Sequence, residues 1–148
     1  MEKLINDISD IVIPEINIIN EKVKGINFLE LLKFNLIEKL TPLILKQKFP
    51  LDQTIDFQKD INDNSRNIQI SINYYISSLS ISKKNIDNNT LFLVFNDASN
   101  IDIYVNEKKF TNILLFKNSG ISVPKDTLIN SKFNKNVLLL KIIDKNSE

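Results

Sequence analysis

The chain has 148 residues, 43% hydrophobic and 25% charged, with a formal net charge of +1. That composition fits a folded chain of single-domain length, and so small a charge gives no strong field to attract nucleic acid or anionic lipid. There is no cysteine and no histidine, which excludes disulfides, thiolate chemistry, Ser-His-Asp catalysis and the commonest transition-metal ligand.

Ile, Asn and Lys are over-used and there are only 2 glycines, the pattern of an AT-rich coding sequence, so a single Asn or Lys carries little functional weight. The opening MEKLINDISDIV is acidic and broken by Asp7 and Asp10, unlike a signal peptide. No apolar run approaches the roughly 20 residues of a membrane span. A cytoplasmic protein without membrane contact is the expectation.

The first third reads as helical. EKLINDISDIV suits a short amphipathic turn stopped near Pro14. NFLELLKFNLIEKL then sets Leu29, Leu32, Leu36 and Leu40 on one stripe. Asn27 and Glu30 have the spacing of a capping box, and Thr41-Pro42 suits the end of this helix and the start of a short one. After Pro50 the period changes to 2. NIQISINYYI alternates Ile68, Ile70, Ile72, Tyr74 and Ile76, and Ser77-Ser78 breaks the parity, which predicts a bulge or bend. Further strands follow in LFLVF, NIDIYVNE, TNILLFK, GISVP and NVLLLKII. LFLVF and VLLLKII lack alternation, so both of their faces should be covered, by another sheet or by a partner subunit. The expectation is one domain over 1–148: a helical segment over 1–49, then a mainly β antiparallel barrel or sandwich of about eight strands over 50–148.

Residues 65–143 resemble a cupin, the double-stranded β-helix or jelly-roll barrel, on strand rhythm and on the turn ISVPKDTLI. Counting from Pro124, Asn118 and Asp126 stand where the family's second motif has glycines. Ile129 stands at its metal-binding histidine, Phe133 at its asparagine, and Asn134 one residue late. Asp97 occupies the turn between the motifs, where glycine is usual, and the first motif's glutamate falls near Thr90. The resemblance implies a cupin-like barrel without the metal-binding histidines, in which Ile129 fills the metal position with hydrocarbon. It also implies pairing through a sheet edge or an apolar face.

Other candidates each have a plainer reading. Asp52, Asp56, Asp60 and Asp63 would share a helical face and suggest a cation site, but they lack a calcium-loop pattern and read better as a solvated face. Asp97 and Asp102 flank NDASNID and suit a turn as well as acid–base work. Tyr74, Tyr75 and Tyr104 lie in strands, where a phenol inside a barrel would hold a ligand or simply cap the core. Arg66 is the one arginine, and its planar fork would suit a carboxylate or phosphate. Lys108, Lys109, Lys117, Lys125, Lys132 and Lys135 serve solubility, and Asn88–Thr90 has the form of a glycosylation sequon without a secretory context.

The expected function is a non-enzymatic, metal-free cupin-like domain that binds a small organic ligand (a sugar or small acid) or a protein partner. The expected state is a homodimer with no cofactor and no nucleic acid. Its pocket would be lined by Tyr75, Tyr104, Ile129 and Arg66. The alternatives are a metal-independent isomerase or lyase acting on a sugar or small acid, and an assembly protein with a filled barrel.

Overall fold

The computed structural model describes residues 2–48, 54–63, 66–96, 99–105, 108–115 and 117–146. Two helices, α1 (Glu2–Ile18) and α2 (Ile26–Leu45), precede nine strands among the described residues. The strands are β1 (Ile55–Asp63), β2 (Arg66–Tyr74), β3 (Leu79–Asn85), β4 (Thr90–Val94), β5 (Ser99–Val105), β6 (Lys108–Leu115), β7 (Ser119–Val123), β8 (Leu128–Phe133) and β9 (Leu138–Asp144). They form two antiparallel sheets, β1-β2-β9-β4-β7 and β3-β8-β5-β6. The mainly β, antiparallel two-sheet architecture behind a helical segment is the one expected.

Both helices run further than their prolines suggest. Pro14 lies inside α1 and Pro42 inside α2, where a proline costs about 3 kcal/mol in lost hydrogen bonding and crowding. Both rings are exposed, as are Asp10 and Glu38 one turn earlier, so the carbonyls left without an amide donor are solvated. Continuous burial offsets the cost. Ile5, Ile8 and Val12 precede Pro14 and Ile16 follows it; Leu29, Leu32, Leu36 and Leu40 precede Pro42 and Ile44 follows. Each such side chain stabilises by roughly 1.5–3 kcal/mol. The capping box does not form. Gly25 is the N-cap, with φ 66° and no side-chain bond, Asn27 lies within the first turn, and Glu30 pairs with Lys33 at 2.7 Å. Buried Glu15 joins α1 to α2 through an ion pair with Lys39.

The helices cover the outer face of the five-stranded sheet. Ile68, Ile70, Ile72 and Tyr74 point at them, as do Leu91, Leu93, Leu138, Leu140 and Ile142. The alternate residues of the same strands, among them Phe92, Val94 and Leu139, point into the space between the sheets. This is why LFLVF and VLLLKII lack alternation: the chain's own helices supply the cover on one side. Among the described residues, 23 buried apolar side chains form the helix–sheet core and 9 the inter-sheet core.

One further expectation changes and one is made specific. The acidic segment is a strand, not a helix: β1 pairs with β2 from Ile55↔Tyr74 to Asp63↔Arg66. Period 2 puts Ile55, Phe57 and Ile61 against the helices, with Asp56 and Asp60 on the opposite face; Asp52 is outside the described residues. The parity break at Ser77-Ser78 is the bend, not the bulge, of the two forms expected, with the bend at Ile76-Ser77. There the chain leaves the five-stranded sheet after Tyr74 and enters the four-stranded one at Leu79. A register shift does occur later, between Ile81 and Lys84.

Candidate functional site: a lysine-lined cavity between the sheets

The turn after Pro124 closes on Ile86: the Asp126 amide donates to the Ile86 carbonyl at 2.6 Å, and the Ile86 amide to the Thr127 carbonyl at 2.9 Å. Asp126 has φ 65° and Asn118 φ 59°, so the two residues that replace glycines hold the left-handed conformation glycine would give. Asn and Asp tolerate it best among residues with a Cβ. The turn aims β8 so that Ile129, Ser131 and Phe133 face the other sheet, all buried. Ile129 is 2% exposed and packs with Phe92, Phe133 and Leu139, so hydrocarbon occupies the position that the resemblance gives to the metal ligand. Among the described residues, no three acidic side chains converge as a metal-ligating group.

The interior is not filled. A cavity of about 180 Å3 opens between the sheets. Its apolar wall is Phe92, Ile129, Phe133, Leu139 and Ile143, and its polar groups come from Tyr75, Lys84, Asp87, Thr90, Ser131, Lys141 and Lys145. Three lysines thus meet one aspartate. Tyr75 stacks on Phe133 with centroids 5.9 Å apart. Burial raises its phenol above the usual tyrosine range, and the Asp56 carboxylate adds to the rise.

Lys141 is the unusual member. It stands mid-strand in β9, in register with Ser71 of β2 and Phe92 of β4, where ladders on both sides fix its backbone. Leu139 and Ile143 flank it on the same face. Its side chain is half-buried and makes no hydrogen bond or ion pair among the described residues. Burial pushes its amine below the usual lysine range. The charge of Lys84 pushes the same way, and Asp56 partly opposes them. Beside it lies a polar chain: the Ser71 hydroxyl donates to Asn73 Oδ1 at 3.1 Å, and Asn73 Nδ2 donates to Asp56 Oδ1 at 3.0 Å.

Of the four residues expected to line a pocket, the structure brings together Tyr75 and Ile129. Tyr104 is on the outer face of the four-stranded sheet, paired with Leu128 in the β5–β8 ladder, and its hydroxyl accepts from Asn130 Nδ2 at 2.8 Å. The strand period is the reason, because Ile129 and Ser131 on β8 take the inner positions. Arg66 does not line the cavity. Its Nη2 donates to the carbonyls of Asn20 at 3.0 Å and Val23 at 2.9 Å, and its guanidinium lies over Phe28. The planar fork is used on backbone carbonyls, not on a ligand carboxylate. Asp102 accepts from Asn112 and pairs with Lys109 on the outer face; Asp97 lies outside the described residues. In the sequon, the acceptor position Asn88 is half-buried at the cavity and its carbonyl accepts from the Thr90 hydroxyl at 2.8 Å, while the middle residue, buried Asn89, accepts the Lys125 amide at 2.8 Å.

Sequence reasoning missed Lys84 and Lys141, and read Asp56 as part of a solvated acidic face. A signal for Lys141 was present: it is the one charge interrupting the apolar run VLLLKII. Among the described residues, no helix is long and apolar enough to cross a membrane.

No known family's sequence profile matches the chain, and no curated protein matches it by sequence. Its three-dimensional likeness is to cupins. A cupin superfamily protein from Desulfitobacterium hafniense matches with a TM-score of 0.51 at 18% identity, over 70% of this chain and 87% of that one. The Cnp3 cupin domain of Schizosaccharomyces pombe matches with a TM-score of 0.50 at 12% identity, over 68% of this chain and 66% of that one. The fold is the cupin fold.

Proposed function

We propose that this cupin-fold chain binds a small organic anion in the cavity between its sheets. The observation that carries the reading is Lys141, an ammonium held half-buried on the interior face of a central strand without an ion-pair partner among the described residues. Burying a charge without an ion-pair partner is costly; Asp56 offsets only part of that cost, and a bound carboxylate would offset more. Lys84 and Lys145 line the same cavity and favour an acid over a neutral sugar. The space, about 180 Å3, is below the roughly 300–1,000 Å3 of drug-sized sites, so the ligand has only a few carbons. Phe92, Ile129 and Leu139 would take its apolar part.

A thermal-shift comparison of small carboxylic acids with neutral sugars of similar size tests this. An acid at about 100 times its dissociation constant adds roughly 2.7 kcal/mol of stability. The shift should appear with the acids, fall with rising salt, and vanish in Lys141→Gln. A shift from neutral sugars that is indifferent to salt and to Lys141→Gln would overturn the reading.

A further inference from the structure

We propose that Lys141 forms a Schiff base with the carbonyl carbon of a small oxo acid whose carboxylate is held by Lys84. The inference rests on the anion-binding reading and goes beyond it, from binding to covalent chemistry. Three features of the cavity support it. The Lys141 amine is anchored by a central strand paired on both sides, so its stem starts from a fixed point. It lies among apolar side chains and beside a second lysine on the facing sheet, the two settings that leave an amine unprotonated and nucleophilic. The lowered proton affinity of Lys141 agrees with this geometry. Lys84, exposed at the cavity edge, stays available to pair with a carboxylate.

The step balances without a further reactant. The neutral amine adds to the carbonyl carbon, and proton transfer from nitrogen to oxygen gives a carbinolamine. Its hydroxyl leaves as water, taking one proton, and a carbon–nitrogen double bond replaces the carbon–oxygen one. Nothing is oxidised or reduced. The Tyr75 phenol, held protonated in the same cavity, is the acid at hand for the departing hydroxyl.

The test is reductive trapping. The folded chain is incubated with pyruvate or glyoxylate and cyanoborohydride across a series of pH values below the usual lysine range, where an amine of lowered pKa is less protonated than exposed ones. Adducts are then located by peptide mass mapping. Lys141 should be modified on the order of tenfold faster than the exposed lysines. Lys84→Gln should slow that labelling, and acetone, which has the carbonyl without the carboxylate, should label Lys141 poorly. Lys141→Arg keeps charge and stem, so it reports on folding when the adduct disappears. Labelling spread evenly over the lysines overturns the proposal. If pyruvate still stabilises the protein in that case, anion binding stands and only the covalent step falls; if it does not, both readings fall.

Discussion

The Arg66 guanidinium lies over the Phe28 ring, 3.9 Å from its centroid, while its Nη2 donates to the carbonyls of Asn20 and Val23. One side chain at the start of β2 therefore pins the α1–α2 connection and the first turn of α2 to the barrel. Charge-assisted hydrogen bonds contribute roughly 1.5–3 kcal/mol, and the stack adds about 0.5–1. Arg66→Ala should lower stability by about 2 kcal/mol, read as a shift in the urea midpoint. Arg66→Lys should recover little of it, because an ammonium lacks both fork and flat face. A lysine variant as stable as wild type would remove the clamp from this account.

Gly120 on β7 has no room for a side chain. A Cβ there would meet Leu93 Cδ2 at 2.4 Å and the Phe92 carbonyl oxygen at 2.8 Å. Gly120→Ala should cost about 1–3 kcal/mol by overpacking in denaturant unfolding. Adding Leu93→Val should relieve only part of this, since the Phe92 oxygen belongs to the backbone of β4 and cannot retreat alone.

At Asn118 and Asp126 the strain has the opposite remedy. Both have positive φ, and the Asn118 side-chain oxygen is buried with no donor among the described residues. Asn118→Gly should stabilise by about 0.5–2 kcal/mol, removing both left-handed strain and an unmet acceptor. Asp126→Gly should be neutral or mildly stabilising, and alanine at either site should destabilise by about 1 kcal/mol. Thermal unfolding of the four variants ranks these effects; equal losses for glycine and alanine would contradict the backbone argument.

Lys141 should trade stability for binding. Lys141→Met keeps the stem and removes the charge, so at pH 7 it should stabilise by about 0.5–2 kcal/mol, the usual range of such repairs, while abolishing any shift from organic acids. The pH dependence fixes the sign. With its folded pKa lowered, Lys141 contributes stability that is present above the unfolded value of about 10.4 and lost as pH falls through the folded one. The advantage of Lys141→Met should therefore shrink as pH rises from neutral toward that value. Tyr75, whose raised pKa acts in the other direction, is common to both proteins and cancels in the difference, as do Asp87 and Lys145 at the cavity; Lys84 and Asp56 are the charges that act on Lys141. An advantage constant across pH would mean that the amine is not perturbed.

What the sequence determined by itself was local and periodic. The leucine stripe of α2, the alternation of β2, the turn at Pro124 and the spacing that places Asn118, Asp126 and Ile129 at motif positions are all properties of a few neighbouring residues. Backbone sterics and side-chain period act over that range. The want of histidine and cysteine settled by elimination which chemistries were closed.

Tertiary structure decided what covers what. Pro14 and Pro42 were misread because exposure of a ring and of the carbonyl one turn before it depends on which face the helix buries. β1 was misread because its alternation becomes a strand only beside β2. VLLLKII suggested a doubly covered strand, but not that helices lie on one side and a cavity on the other. Lys141 and Arg66 differ for the same reason. Each is a lone cation in a polar or apolar stretch, and only the packing of distant segments gave one of them two carbonyls and a ring, and the other an apolar wall, a second lysine and, in Asp56, a partial counter-charge without an ion pair among the described residues.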